Sequence, residues 1–183
     1  MTMTISRLFP ARSCAKLSCL VILLSGFLAS SQYSAGADAA PQVQLDTKKT
    51  APRAIENLTE RSIVRDYRVA WISMAHALEL NAVDPLNGPF TGEAKTSLWQ
   101  SVISQQRSGL SRRYVDQTHK LDAVFYAPEG DVIELHDTAE YQLQFLDKGK
   151  VVQEEHVVAH YVVLMTPSSD RWLVRYLQAV SQF

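Results

Sequence analysis

The chain has 183 residues, 46 % of them apolar and 20 % charged, which is ordinary for one globular domain with an appendage. Its 18 lysines and arginines nearly balance 19 acidic residues, and no basic stripe is interleaved with aromatics, so nucleic-acid binding is excluded as a leading reading. Both cysteines, Cys14 and Cys19, lie near the amino terminus, which leaves the rest of the chain without disulfides, thiol catalysis or thiolate metal sites.

Arg7, Arg12 and Lys16 precede an apolar run from Leu17 to Ala29, and small residues around Ala35 and Ala37 follow. A basic flank, a short apolar core and an A-x-A-like site predict a signal peptide over residues 1–37. The run is short for a membrane span, so contact with a membrane is expected only if the segment is retained. Removing it takes away three basic residues, leaving 15 against 19 acidic and a net charge of −4. The expected location is exported, periplasmic or extracellular, with tethering if the segment stays. Residues 38–54 are small, polar and proline-containing and are predicted to be a flexible linker. The folded domain is expected over 55–183.

Asn57 and Glu60 fit a helix start, and Ile63, Tyr67, Ala70, Trp71, Met74, Ala77 and Leu78 recur at three- and four-residue steps as one apolar stripe. Asn81 suits a left-handed helix stop. After a Pro- and Gly-containing loop, Thr91 is the expected cap of a second helix, with Glu93 in its first turn and Gly109 ending it. Arg112 and Arg113 read as a solvated helix end. From Thr118 the period changes to two. His119, Leu121, Ala123, Phe125 and Ala127 share one face of a strand. In the next strand Ile133, Leu135, Asp137, Ala139, Tyr141, Leu143 and Phe145 share a dry face, and Glu134 to Gln144 a wet one. A central strand near 151–165 and a last strand from Arg171 to Val180 follow.

Helix, helix and a long antiparallel meander, together with the Trp71 helix, the Phe90–Ala94 helix start and the Asp170-Arg171-Trp172 strand start, resemble the nuclear-transport-factor-2-like superfamily over residues 55–183. The resemblance is greatest to non-catalytic members of bacterial envelopes and of the plastid-division intermembrane-space type. It implies an α+β fold with two N-terminal amphipathic helices packed in a strongly curved, cone-like antiparallel sheet of about four strands. Fold alone does not choose a function, since the superfamily also holds isomerases, dehydratases and cyclases.

A three-residue loop at Asp147–Gly149 is the favoured hairpin, placing Phe145 opposite Val151 and Asp137 opposite Ala159. A two-residue loop would place Asp137 opposite His160 instead. Asp137 is the one formal charge on a dry face. In catalytic members of the resembled superfamily an acid inside the cone serves as general base, so Asp137 is the candidate catalytic residue, with Tyr141 or Tyr161 as hydrogen-bond donor. A bulge turning Asp137 outward is the alternative. Tyr67, Trp71, Met74, Trp99 and Trp172 are the candidate ligand-pocket residues. His156 and His160 stand four apart on a strand, too far to share an ion, and no third ligand joins His136 and His160, so neither a metal nor another cofactor is expected. His119 reads as a partly exposed strand histidine. The expected function is an exported, non-catalytic domain binding a protein partner or small apolar ligand in or around the cone, with a homodimer compatible. The second reading is a cofactor-free isomerase, dehydratase or cyclase, and a third an accessory subunit of an envelope complex.

Overall fold

The computed structural model describes residues 40–183. The expected signal segment lies outside the described residues. Among the described residues, no helix is long and apolar enough to cross a membrane.

Two short strands come first, β1 (Gln42–Asp46) and β2 (Ala51–Pro52), followed by α1 (Asn57–Leu80), a single 3-10 turn at Asp84–Asn87, and α2 (Gly92–Ser108). Four long strands complete the chain: β3 (Leu110–Tyr126), β4 (Ile133–Asp147), β5 (Lys150–Pro167) and β6 (Trp172–Val180). They form one six-stranded sheet in the order β1-β3-β4-β5-β6, with β2 also on β3. The β3 to β6 run is antiparallel, while β1 and β2 lie parallel to β3.

This corrects the expected fold class. The sheet is mixed and six-stranded rather than antiparallel with about four strands, it is not strongly curled, and the helices follow the first strands. The stretch expected as a linker supplies β1 and β2. In β1 only Val43 is buried, too little alternation to mark a strand in sequence. Its pairing with Thr118 to Asp122 is non-local. With α1 and α2 packed on the strands of the apolar face, closure into a cone is not needed to shelter it.

The α1 stripe is real. Ile63, Tyr67, Ala70, Trp71, Met74, Ala77 and Leu78 are all buried, and Asn81 ends the helix at φ 52°. The start differs. Glu56 is the cap residue and Asn57 the first helical one, with Glu56 held by Arg53 at 2.8 Å. In α2 the expected Thr91 cap position and the left-handed Gly109 stop are both observed. Strand β3 begins eight residues earlier than the alternation suggests, so Arg112 and Arg113 are strand residues rather than a helix end. Arg113 pairs with Glu79 at 2.7 Å. The irregularity that hid this is an interruption between Val115 and Thr118, where Asp116 takes φ 52°.

The β4–β5 hairpin also differs. Lys148 and Gly149, at φ 49° and 79°, form a two-residue loop closed by Asp147 and Lys150. Both central residues being left-handed is the signature of a type I′ turn, whose twist suits the flanking strands. One extra residue then enters β5 at Phe145/Leu146, so Phe145 faces Gln153 and Asp137 faces Tyr161. The bulge adds a second residue of offset to the favoured register, an even shift that leaves the side chains from Gln153 onward on their expected faces, while Val151, before the bulge, changes face.

Candidate functional site

Asp137 points inward. Its place on the dry face of β4 carries it under α1, and it is wholly buried. The outward bulge is not found there. Its Oδ2 accepts the Tyr67 hydroxyl of α1 at 2.7 Å and lies 2.8 Å from His119 Nδ1 of β3. With Oδ2 acting as acceptor, Nδ1 carries the proton and donates. His119 is therefore not a partly exposed strand histidine but fully enclosed, its ring 4.2 Å from the Trp71 indole and edge-on to Tyr67 at 5.7 Å. Asp137 Oδ1 and His119 Nε2 have no hydrogen-bond partner among the described residues. Burial, followed by the neighbouring Asp137, pushes the Tyr67 hydroxyl well above the ordinary tyrosine range.

Tyr141 and Tyr161 do not reach Asp137. Their hydroxyls bond each other at 2.9 Å, and both rings pack on Trp71, at 6.2 and 5.5 Å. Tyr114 stacks beside Tyr141 at 4.9 Å. Burial pushes Tyr114 up to about 12, opposed by the nearby Arg112. Burial likewise raises Tyr141 and Tyr161, with the Tyr161 hydroxyl adding to the effect on Tyr141.

Of the five expected pocket residues, Tyr67, Trp71 and Met74 meet beneath α1 with Phe90 and Val174, and the gap between them admits no water molecule. Trp99 is 47 % exposed on α2. Trp172 is buried at the start of β6, where its backbone N–H donates to Asp66 Oδ2 at 2.7 Å. The five do not enclose one cavity.

The cluster resembles a relay of Tyr, Asp and His, but its chemistry is limited by its order. In a nucleophile–His–Asp arrangement the second ring nitrogen faces a nucleophile. Here Nε2 faces none, and the tyrosine sits on the carboxyl oxygen instead. The arrangement pins α1 to β3 and β4 through one buried acceptor. Among the described residues, no three His, Cys, Asp or Glu side chains converge as a metal site. His136 and His160 are not opposed in the sheet; the carboxy-terminal Phe183 stacks on His136 at 4.4 Å and meets His160 edge-on at 5.0 Å.

Open space lies at the surface. A groove of about 340 Å³ runs between the end of α2 and the β3–β4 ladder, lined by Ser101, Ser104, Gln105, Leu110, Arg112 and Phe145. Gln105 is buried and donates through Nε2 to Leu78 O and Asn81 Oδ1. Its Oε1 accepts Arg112 Nε at 2.6 Å. The guanidinium is thus aimed by a fixed partner, and it makes no ion pair among the described residues. Sequence reading missed this site because Arg112 lies in the part of β3 that precedes clean alternation. Gln105, a polar residue on the apolar stripe of α2, was the available signal. A larger cleft of about 590 Å³ beside β1 carries Asp46, Lys48, Lys120 and Asp122, charges of both signs, beside Leu45 and Leu121.

No known family matches the chain, and no curated protein does. Solved structures do match. The intermembrane-space region of chloroplast protein ARC6 superimposes with a TM-score of 0.55 over 70 % of this chain and 98 % of that one, at 15 % identity. Kfla4162 from Kribbella flavida matches 70 % of this chain and 94 % of its own at 13 % identity and a TM-score of 0.43. The ARC6 likeness is one of fold, and it spans most of the helix-and-sheet unit described above.

Proposed function

We propose that the chain is an exported, non-catalytic domain of the nuclear-transport-factor-2-like kind that binds a protein partner at its surface, in the groove between α2 and β3–β4. The observation that supports this reading is the contrast between interior and groove. The interior acid is wholly buried and already engaged by Tyr67 and His119, and the gap beneath α1 admits no water molecule. The groove offers apolar wall from Leu110 and Phe145 beside the aimed Arg112, the mix of anchor and orienting charge that recognition surfaces use. Oδ1 of Asp137 and Nε2 of His119 are both enclosed away from solvent, which weighs against the isomerase, dehydratase or cyclase reading. The intermembrane-space location named for the ARC6 region agrees with an envelope setting, as does the amino-terminal basic and apolar pattern.

The test is photocrosslinking in the source cells, with a benzophenone amino acid at Ser104 or at the distant Glu129. Under this reading Ser104 gives a discrete protein adduct that Arg112→Glu abolishes, and Glu129 gives none. Equal labelling at both positions, or an adduct indifferent to Arg112→Glu, would refute the groove as the binding surface.

A further inference from the structure

The sheet ends on an unequal edge. Strand β6 pairs with β5 only from His160 to Pro167, whereas β4 pairs with β5 along its whole length. Lys150 to Ala159 therefore bond β4 on one side and, among the described residues, no strand on the other. An unpaired edge presents alternate N–H and C=O groups ready for another strand. This one carries three exposed valines, Val151, Val152 and Val158, at 47, 60 and 56 %. The carboxy terminus does not cover it, because Phe183 is held over His136 and His160.

We infer that the free edge of β5 is the interface with a second copy of this chain, joined antiparallel about a two-fold axis at Glu155 to make one continuous sheet. The axis follows from length. Lys150 closes the turn, so antiparallel self-pairing that uses the remaining free stretch from Val151 to Ala159 centres on its middle residue, Glu155. At that register the sequence complements itself. Gln153 faces Val157 of the second copy, and Val152, the bulge residue of β5, lies beside Val158. Glu154 faces His156, placing an acid against an imidazole twice, once on each side of the axis. Opposite charges and apolar pairs at directly facing positions are the stabilising contacts of a sheet. Moving the axis to Glu154 loses the match, since Val152 then meets His156 and Glu154 meets itself. The single repulsive contact in the chosen register is Glu155 against its own copy, which separates this interface from any other on the molecule.

Sedimentation equilibrium of the full chain provides the test. A concentration-dependent dimer is expected. Val152→Lys and Val158→Lys, both at exposed positions, should each leave a folded monomer. Glu155→Gln should tighten the dimer about two- to five-fold by removing the like-charge contact. The register is read separately with Cys14 and Cys19 changed to serine. Glu155→Cys, on the axis, should couple to its own copy through a short bismaleimide, while Gln153→Cys should not, because its copies would stand about 13 Å apart along the strands. A chain that stays monomeric, a dimer that survives both lysine variants, or coupling at Gln153 equal to that at Glu155 would overturn the inference.

Discussion

Removing the Asp137 carboxyl should cost more stability than any other side-chain truncation of similar size in the sheet. In Asp137→Ala the Tyr67 hydroxyl and the His119 Nδ1–H lose their shared acceptor, both enclosed where water cannot replace it. Each stranded donor costs about 1–3 kcal/mol, so the pair should cost roughly 2–6 kcal/mol. For a domain of this size that lowers Tm by roughly 10 °C. Asp137→Asn keeps one acceptor oxygen for two donors and should cost about 1–3 kcal/mol. Tyr67 and Asp137 are the two ends of one hydrogen bond, so substitutions at both are not additive. Tyr67→Phe should cost about 1 kcal/mol alone, yet nothing in the Asp137→Ala background, where it removes a hydroxyl already stranded. The assay is urea unfolding followed by circular dichroism, with midpoints compared at constant slope. An Asp137→Ala chain within about 0.5 kcal/mol of the parent, or a Tyr67→Phe penalty that persists unchanged in its background, would refute the buried-acceptor reasoning.

Three further outcomes follow from the same geometry. Tyr67, Tyr114, Tyr141 and Tyr161 are raised by burial in the folded chain, so their contribution is complete below pH 10 and is lost as pH climbs through the folded values; ultraviolet titration should show these four phenolates appearing together with unfolding, and their ionisation in a chain that stays folded at pH 10 would contradict this. Gln105→Ala should cost about 1–3 kcal/mol by stripping Leu78 O and the Arg112 Nε of their partner, measured by the same urea midpoint, with a cost near zero counting against a fixed guanidinium. Lys148→Asn should stabilise by about 0.5 kcal/mol, since Lys148 sits at φ 49° in a type I′ turn that Asn-Gly prefers; calorimetry showing a lower Tm would contradict the turn assignment.

What could be read from sequence depended on how local each feature was. The α1 stripe, the Asn81 and Gly109 stops and the dry face of β4 are set by neighbours within a turn or two, and periodicity exposes them. The β1 pairing with β3 is not local, and one buried valine gives no pattern to find. The hairpin register turned on one bulge residue that apolar matching between strands does not mark. At the site, Asp137 stood out as a charge on a dry face, but its partners lie on β3 and α1, 18 and 70 residues away. His119 shares the alternation of Leu121 and Ala123, which was the available sign that it too faces inward. The groove residues Gln105 and Arg112 were obscured where α2 gives way to strand without a loop between them.

A crystal of the chain equilibrated with pressurised xenon tests the filled interior, on which the non-catalytic reading rests, most directly. Xenon enters dry apolar cavities and needs no chemistry to bind. No xenon should occupy the space between Tyr67, Trp71, Met74, Phe90 and Val174, where α1 meets the sheet. Xenon density there, with Asp137 Oδ1 facing it, would reveal a pocket open to small molecules and would return the acid to candidacy as a base.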